Sequence, residues 1–204
     1  MTLLLIRHGE TLLNAARVLQ PADTPLSPRG LAQAEALAQR LAAQPLAGIL
    51  ASDLPRALQT AAALGRLTGL PISTSALLHE RNYGELRGQA YDDLGFNPLT
   101  MVEAPPGGES QAMFSERCAL AWAELLALQQ RLGGPLAVVT HGLVLREWLQ
   151  HPLQLPLGMA LPARLSNASV TEAAATPPHA VDRVDCTVHL TGALRDDHHS
   201  LSGG

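Results

Sequence analysis

Short apolar runs alternate along the chain with segments of helical periodicity, and this alternation limits the possible folds more than any other feature. An apolar run of about four to eight residues is typical of a buried strand, whereas apolar residues three and four apart predict an amphipathic helix. Alternating strands and helices favour a mostly parallel sheet with helices on both faces. We therefore predict a three-layer α/β/α fold. The predicted strands are residues 3–6, 48–51, 71–75, 136–140, 168–173 and 181–189.

Capping residues place the predicted helices between these strands. Ser27 and Ser52 each precede an amphipathic stretch and are suited to cap a helix, and Pro28 fits a first helical turn. Ser110 starts a long amphipathic stretch, and Gly133 suits its left-handed end. The predicted helices cover residues 28–44, 54–67, 110–132 and 143–150.

The length and composition favour a single domain. The chain has 204 residues, of which 47% are apolar, and this is enough to build a core. We assign the domain to residues 1–192 and a flexible tail to residues 193–204. No apolar run is long enough to span a bilayer, and no basic leader precedes the first strand. Because Cys118 and Cys186 make no disulfide framework, a cytoplasmic location is expected.

The basic side chains are all arginine, and they form no cationic tract. The chain has 14 basic residues, a net charge of −4 and only 3% aromatic residues. A nucleic-acid surface needs a cationic stripe and often stacking rings, so we expect no nucleic-acid partner. Any anion that this protein binds must be held by arginine, histidine or backbone N–H groups.

Titratable residues follow three of the predicted strands directly. Arg7, His8 and Gly9 follow the first strand, residues 52–56 follow the second, and His141 with Gly142 follows residues 136–140. In a parallel sheet, ligands bind beyond the carboxyl ends of the strands. We therefore expect two histidines and two arginines, Arg7 and Arg56, to meet at one edge.

This set of residues suits phosphoryl transfer. A phosphate ester carries negative charge, and the arginine fork matches its oxygens. Arg56 also lies in a predicted first helical turn, where backbone N–H groups favour an anion. A neutral His8 can attack phosphorus to give a phosphohistidine, and a protonated His141 can stabilise the phosphoryl charge. A small Gly142 lets the backbone approach the ester closely.

The leaving oxygen needs a proton, which a carboxyl group with a raised pKa can supply. Glu80 is our candidate, and it lies at the start of a predicted long loop, residues 77–107. A loop of this length in a compact domain is usually functional. Glu85 in the same loop is the rival. Glu10 is expected to shape the turn after the first strand, or to cap a helix that begins near Thr11, instead.

Five motifs in order carry a resemblance to a known family. They are RHGET followed by Asn14, SDLPRALQTA, HERNYGELRG, PPGGES and VVTHG. Over residues 1 to about 170 they resemble the histidine phosphatase superfamily, in the branch that holds cofactor-dependent phosphoglycerate mutase. The resemblance implies a phosphoglycerate mutase-like fold and no metal. It implies His8 as the phosphorylated nucleophile, His141 as the second histidine, Arg7 and Arg56 as phosphate ligands, Glu80 as proton donor and acceptor, Asn14 as a substrate or phosphate contact, and Asn167 and Ser169 on a segment near the site.

The sequence departs from the mutase pattern in one interval. Mutases carry a longer, basic insertion between the acid motif and PPGGES, whereas residues 89–104 here are few and include no arginine. This favours hydrolysis over transfer between hydroxyl groups. Similar small family members include alpha-ribazole phosphatases and broad phosphatases. The hypothesis is a metal-independent phosphomonoesterase that acts on a small phosphorylated metabolite without a cofactor.

Three alternatives stay open at this point. They are a phosphoglycerate mutase, an inactive phosphate-binding protein, and a metalloenzyme that uses His8, His141 and Glu80 as ligands. The nearby arginines argue against the last one because their charge repels a cation. Acidic and histidine residues at 196–199 could bind a stray metal. The substrate, which residues 81–106 should select, and the oligomeric state are not decided by the sequence.

Overall fold

The computed structural model describes residues 1–195, and its elements follow the predicted alternation of strands and helices. The strands are β1 (Thr2–Arg7), β2 (Gly48–Ala51), β3 (Ile72–Thr74), β4 (Leu136–Thr140), β5 (Val170–Ala174) and β6 (Val181–Cys186). The helices are α1 (Leu12–Ala15), α2 (Pro28–Ala42), α3 (Pro55–Thr68), α4 (Gln111–Leu132) and α5 (Gly142–Gln150). Most of the predicted tail, residues 196–204, lies outside the described residues.

Six strands form one mixed sheet in the order β3-β2-β4-β1-β5-β6. The first four of these run parallel to one another, and β5 is antiparallel to both β1 and β6. The prediction of a mostly parallel α/β fold is confirmed. Arg7 at the end of β1 pairs in register with Thr140 at the end of β4. The register therefore places the segments that follow β1 and β4 side by side.

Side chains of β1 alternate between two cores, one on each face of the sheet. Leu3 and Leu5 belong to the core under α4 and α5, whereas Leu4 and Ile6 belong to the core under α2 and α3. Because burying each such side chain contributes about 1.5–3 kcal/mol, β1 is anchored from both faces. The helical side chains in these two cores include Phe114, Cys118, Leu125, Val144 and Trp148 on one face and Ala34, Leu37, Leu41, Ala57, Ala61 and Leu64 on the other.

Two of the predicted helix caps are found, and the third is wrong. The hydroxyl oxygens of Ser27 and Ser110 accept hydrogen bonds from the first turns of α2 and α4. Ser52 does not cap α3, whose N-cap is Leu54 with no side-chain hydrogen bond. Pro55 opens this helix and has no N–H group, so fewer donors need a cap there.

The long loop between β3 and α4 covers residues 75–110 and contains four 3₁₀ turns. Thr140 at the end of β4 donates its hydroxyl proton to the Leu78 carbonyl at 2.8 Å, which ties the start of the loop to the sheet. Gly84 has a φ of +51°, and a Cβ there would lie 2.0 Å from the Pro106 carbonyl oxygen. Only glycine lets the two ends of the long loop approach each other in this way.

Among residues 1–195, no helix combines the length and the apolar character that a membrane crossing requires.

Candidate active site

The carboxyl ends of β1 and β4 bring the two candidate histidines together. The backbone N–H of His8 donates to the Thr140 carbonyl at 3.0 Å. The His8 and His141 rings are 5.1 Å apart between centroids and are tilted by 60°. Both side chains are fully buried. The predicted convergence of these two strand ends is therefore present in the structure.

The His8 ring is oriented by its own chain. Its Nδ1 lies 2.7 Å from the Gly9 carbonyl oxygen, which can only accept, so the Nδ1 proton is held there. Its Nε2 is buried and has no hydrogen-bond partner within residues 1–195. Burial lowers the pKa of His8 well below its ordinary value, and the charges of Arg56 and Arg7 lower it further. The free ring is therefore neutral, with an available lone pair on Nε2.

His141 is held from the other side, by the segment that follows β2. Its Nε2 lies 2.9 Å from the Ser52 hydroxyl oxygen, and its Nδ1 has no partner among the described residues. Burial is the largest cause that lowers the pKa of His141, followed by the charges of Arg56 and His8. In the unliganded protein both rings are thus neutral.

Both predicted arginines are buried beside the histidines. Arg7 donates to the Leu165 carbonyl at 2.5 Å. Arg56 occupies the first turn of α3, and the only hydrogen bonds of its guanidinium group within residues 1–195 are two long ones, 3.4 Å each, to the carbonyls of Pro21 and Ala22. Burial lowers the pKa of Arg56 to about 10, so it stays charged at neutral pH. Two buried cations at the same edge of the sheet make this edge favourable for an anion.

The structure also brings Glu80 to this edge. The two oxygens of its carboxylate accept hydrogen bonds from the backbone N–H groups of Arg81 at 3.0 Å and Leu143 at 3.1 Å. Burial raises the pKa of Glu80, and this effect outweighs those hydrogen bonds and the charges of Arg56 and Arg7. A raised pKa suits a carboxyl group that must deliver a proton.

The other two carboxylates lie elsewhere. Glu85, the rival acid, is exposed to solvent. Glu10 accepts hydrogen bonds from the Ser27 hydroxyl at 2.8 Å and from Arg29 at 2.9 Å, both at the start of α2. It therefore fixes the turn after β1 against α2, as expected.

The two predicted asparagines, Asn14 and Asn167, lie next to the segment that carries His8. The Asn167 amide donates to the His8 carbonyl at 3.1 Å and reaches the Asn14 side-chain oxygen at 3.4 Å. The Ser169 carbonyl accepts from the N–H of Arg7 at 3.2 Å. These contacts brace the segment that carries His8, and Asn14 is buried beside it.

A family model of the histidine phosphatase superfamily (branch 1) matches residues 3–181. The chain belongs to this superfamily.

Relatives of this histidine phosphatase chain have been named as mutases and as phosphatases. The "Probable phosphoglycerate mutase GpmB" of Yersinia pestis (strain Pestoides F) is 36% identical over 177 residues, which cover 82% of this chain and 81% of that protein. The structure of mycobacterial glucosyl-3-phosphoglycerate phosphatase with inorganic phosphate is 30% identical, with a TM-score of 0.75 and coverage of 93% and 99%. The alpha-ribazole phosphatase from Shigella flexneri is 27% identical, with a TM-score of 0.75 and coverage of 90% and 95%.

The glycines of this histidine phosphatase have different surroundings. A Cβ on Gly9 would lie 2.6 Å from the Gly30 carbonyl oxygen, so Gly9 is needed for packing against α2. Its N–H donates to the Thr60 hydroxyl at 3.0 Å, and this hydroxyl donates to the Arg56 carbonyl at 2.8 Å. Gly142 is buried as the first residue of α5. Thr60 thus links the segment after β1 to the helix that carries Arg56.

A partly buried ion pair clamps the backbone around Glu80. Arg117 of α4 donates to the carbonyls of Leu77 at 2.8 Å and His79 at 2.7 Å, and its Nε lies 2.7 Å from Glu109. The same Glu109 carboxylate accepts from the N–H of Asn82 at 2.8 Å. The pair therefore holds the chain on both sides of Glu80.

Sequence reasoning did not find four of these contributors. Thr60 lies one helical turn after Arg56, a spacing that could have suggested contact. The sequence predicts Ser52 as a helix cap, whereas its contact with His141 depends on the order of the strands in the sheet. Arg117 and Glu109 are far in sequence from the residues that they hold, so no local signal indicates their role.

A cavity of about 360 Å³ adjoins Glu80. Its wall is formed by the start of α3, the long loop and α4. The residues that line it are Ala22, Leu54, Ala76, His79, Glu80, Asn82, Arg87, Glu109 and Arg117. Its volume lies within the range of about 300–1,000 Å³ that is typical of small-molecule sites.

Proposed function

We propose that the protein is a phosphomonoesterase that hydrolyses a small phosphorylated metabolite through a phosphohistidine on His8. The observation that carries this proposal is the state of the His8 ring, whose Nδ1 is held by Gly9 while its buried Nε2 has no partner within residues 1–195. Membership of the superfamily and the named phosphatases among its structural neighbours support the same reaction.

The first step forms an N–P bond and breaks the ester P–O bond. The Nε2 lone pair of His8 attacks phosphorus, and the leaving oxygen takes its proton from Glu80. In the second step, water attacks phosphorus while Glu80 takes a proton back from that water. The N–P bond breaks, inorganic phosphate leaves, and neutral His8 and protonated Glu80 are restored.

The charged and polar neighbours stabilise the phosphoryl oxygens during both steps. Arg7 and Arg56 provide permanent positive charge, and Asn14 and the backbone at Gly142 provide further contacts. Because the Ser52 hydroxyl can donate to Nε2 of His141, the Nδ1 of His141 can carry a proton and donate it in a hydrogen bond to the phosphoryl group. A bound phosphate dianion also favours protonation of this ring.

The mutase activity is the second candidate, and the 36% identity to a protein named as a mutase favours it. Residues 89–104 favour hydrolysis because they carry no arginine for a second phosphate, and their 3₁₀ turn at Tyr91–Asp93 adds two acidic side chains. Measuring phosphate release against interconversion of 3- and 2-phosphoglycerate separates the two activities. Isomer exchange faster than hydrolysis would contradict the phosphatase proposal.

The proposal includes independence from metals and action in the cytoplasm on a small phosphate ester. Within residues 1–195, no group of three or more His, Cys, Asp or Glu side chains is arranged to hold a metal ion, so His8, His141 and Glu80 find no support as a ligand set. Both cysteines are free thiols, which suits a reducing compartment. Activity that is lost in EDTA and restored by a divalent cation would contradict metal independence.

The decisive test is to trap the intermediate. The wild-type protein is mixed with p-nitrophenyl phosphate and denatured at alkaline pH, because the N–P bond is labile in acid. Mass spectrometry should find a phosphoryl group on the peptide that contains His8. The His8→Ala variant should lose both the adduct and turnover, whereas His151→Ala, which removes an exposed histidine, should keep both. Undiminished turnover in His8→Ala refutes the proposal.

A further inference from the structure

A buried turn beside the proposed nucleophile has an unusual backbone conformation. Ala168 has a φ of +54°, in the left-handed region that a residue with a Cβ adopts only at a cost in free energy. The residue is fully buried. Such a conformation persists only where the surrounding structure holds it, so the contacts of Ala168 must offset this cost.

Ala168 is bonded on one side to His8. Its N–H donates to the His8 carbonyl at 3.1 Å, and the Asn167 amide donates to the same carbonyl at 3.1 Å. The N–H of the same peptide, which belongs to Gly9, donates to the Thr60 hydroxyl at 3.0 Å. The peptide that joins His8 to Gly9 is therefore held at both of its polar groups. Its orientation determines where the Gly9 carbonyl meets the His8 ring.

On its other side, Ala168 is bonded to His189, which follows β6. The carbonyl oxygen of Ala168 lies 2.9 Å from Nε2 of His189, and Nδ1 of that ring lies 3.1 Å from the Arg40 guanidinium. A guanidinium group can only donate and a carbonyl can only accept, so Nδ1 holds the lone pair and Nε2 holds the proton. Burial and then the charge of Arg40 lower the pKa of His189 to about 4, so the ring is neutral at pH 7.

Arg40 is fixed in turn against the sheet. It lies in the last turn of α2, and its guanidinium group also donates to the Glu172 carboxylate of β5 at 3.0 Å. Both side chains are partly buried. A chain of contacts therefore runs from α2 through His189 and Ala168 to the His8 carbonyl.

We propose that His189, oriented by Arg40, is a positioning residue for the attack of His8 on phosphorus. This inference rests on the proposed function, because it takes His8 as the nucleophile. The proton of the His189 ring fixes the turn at Ala168, and this turn holds the His8 peptide in the orientation that presents the attacking ring to the ester. Loss of the donor should leave the arginines in place, so attack slows while phosphate affinity is kept.

Two substitutions of His189 separate its hydrogen bond from its packing. Glutamine carries a donor and an acceptor side by side, as a neutral imidazole does, whereas methionine fills similar space without a donor. His189→Gln and His189→Met are therefore compared with the control His179→Gln. His179 also lies within hydrogen-bond distance of a backbone carbonyl, that of Ala174 at 3.2 Å, but at the opposite end of β5.

His189→Met should lower kcat/KM about tenfold to a hundredfold for p-nitrophenyl phosphate and glycerol 3-phosphate alike. Attack by His8 is common to both esters, and a displacement of about 1 Å has an effect of this size. The inhibition constant of inorganic phosphate should change by less than about twofold. His189→Gln should stay within about threefold of the wild type, and His179→Gln should match it.

Three results would overturn the inference while leaving the phosphatase proposal intact. They are a folded His189→Met with wild-type kcat/KM, a His189→Gln as impaired as His189→Met, and a loss explained by weaker inhibition by phosphate. Circular dichroism verifies folding of each variant.

Nuclear magnetic resonance of the histidine rings tests the same contacts without turnover. The His189 ring should carry its proton on Nε2. His189→Met should shift the ring signals of His8, whereas His189→Gln and His179→Gln should leave them near their wild-type positions. Unchanged His8 signals in His189→Met overturn the positioning role even if hydrolysis is found. Shifted signals, together with a wild type that hydrolyses no phosphate ester, support the chain of contacts and contradict only the proposed function.

Discussion

Replacing Arg117 with glutamine is expected to slow hydrolysis of esters with poor leaving groups far more than hydrolysis of activated esters. Arg117 donates to the Leu77 and His79 carbonyls and pairs with Glu109. None of these partners is proposed to contact the phosphoryl group, yet together they hold the backbone that carries Glu80. The variant therefore removes a positioning group and leaves His8, Arg7 and Arg56 in place.

The size of the effect follows from these contacts. Each hydrogen bond from the charged guanidinium to a carbonyl is worth roughly 1.5 kcal/mol, and the ion pair about 1 kcal/mol, because both side chains remain 16% exposed. The free energy of unfolding should fall by about 4 kcal/mol at most. A shift of Glu80 by about 1 Å lowers kcat for glycerol 3-phosphate about a hundredfold. With p-nitrophenyl phosphate, whose leaving group departs without a proton, kcat should fall less than about threefold.

The assay compares kcat for the two esters in three single variants. Glu80→Gln shows how much kcat falls when the acid itself is lost. Arg131→Gln is the control, because Arg131 is a basic residue in the last turn of α4, the helix that carries Arg117. Adding Arg117→Gln to Glu80→Gln should cause little further loss on glycerol 3-phosphate, because both changes act through one group. Circular dichroism verifies folding, and Arg117→Lys serves as the milder variant. Equal losses on both esters, or additive losses in the double variant, would refute the positioning role.

Three further predictions concern pH and the long loop. Burial and neighbouring charges hold the pKa values of His8 and His141 well below the ordinary value of a histidine. Below about pH 6.5 these two residues therefore bind more protons in the unfolded chain than in the folded protein. The free energy of unfolding should consequently fall between pH 7.5 and pH 5.5. Thermal denaturation at both values checks this, and a smaller slope is expected for His141→Asn. Because burial raises the pKa of Glu80, kcat should decline on the basic side as this acid ionises, and Glu80→Gln should remove that decline; an unchanged profile contradicts its role as acid. Gly84→Ala should lower the free energy of unfolding by about 2 kcal/mol or more in urea, whereas Gly95→Ala, at a similar positive φ in open space, should cost about 1 kcal/mol.

The fold could be predicted because its signals are local. Four apolar residues before Arg7, and the run that ends at Thr140, mark strands, and their alternation with helices favours a mostly parallel sheet. Ser27 and Ser110 mark helix starts in the same way. The ends of these strands can therefore be predicted from the sequence. Because ligands bind beyond the carboxyl ends of parallel strands, the polar residues that follow them are expected at one edge of the sheet.

What the sequence could not supply is the set of contacts made across the fold. Ser52 looks like a helix cap in sequence, but the order β2-β4 in the sheet turns it toward His141. Arg117 lies in the helix after the long loop, but it contacts residues at the start of that loop. The 3₁₀ turns between them have no sequence periodicity from which this contact could be predicted. The protonation states depend on burial, which no local pattern encodes.

The histidines and the acid of the proposed mechanism have unequal structural support. The histidines sit at the ends of interior strands packed on both faces, so opening that region requires disrupting most of the molecule, and amide hydrogens of β1 and β4 should exchange with solvent slowest. The acid, by contrast, is carried by an irregular segment secured through a few side chains. Substitutions between residues 81 and 106 are therefore expected to change which metabolite is accepted while the two histidines keep their geometry. This segment is the natural target for altering substrate selectivity in the laboratory.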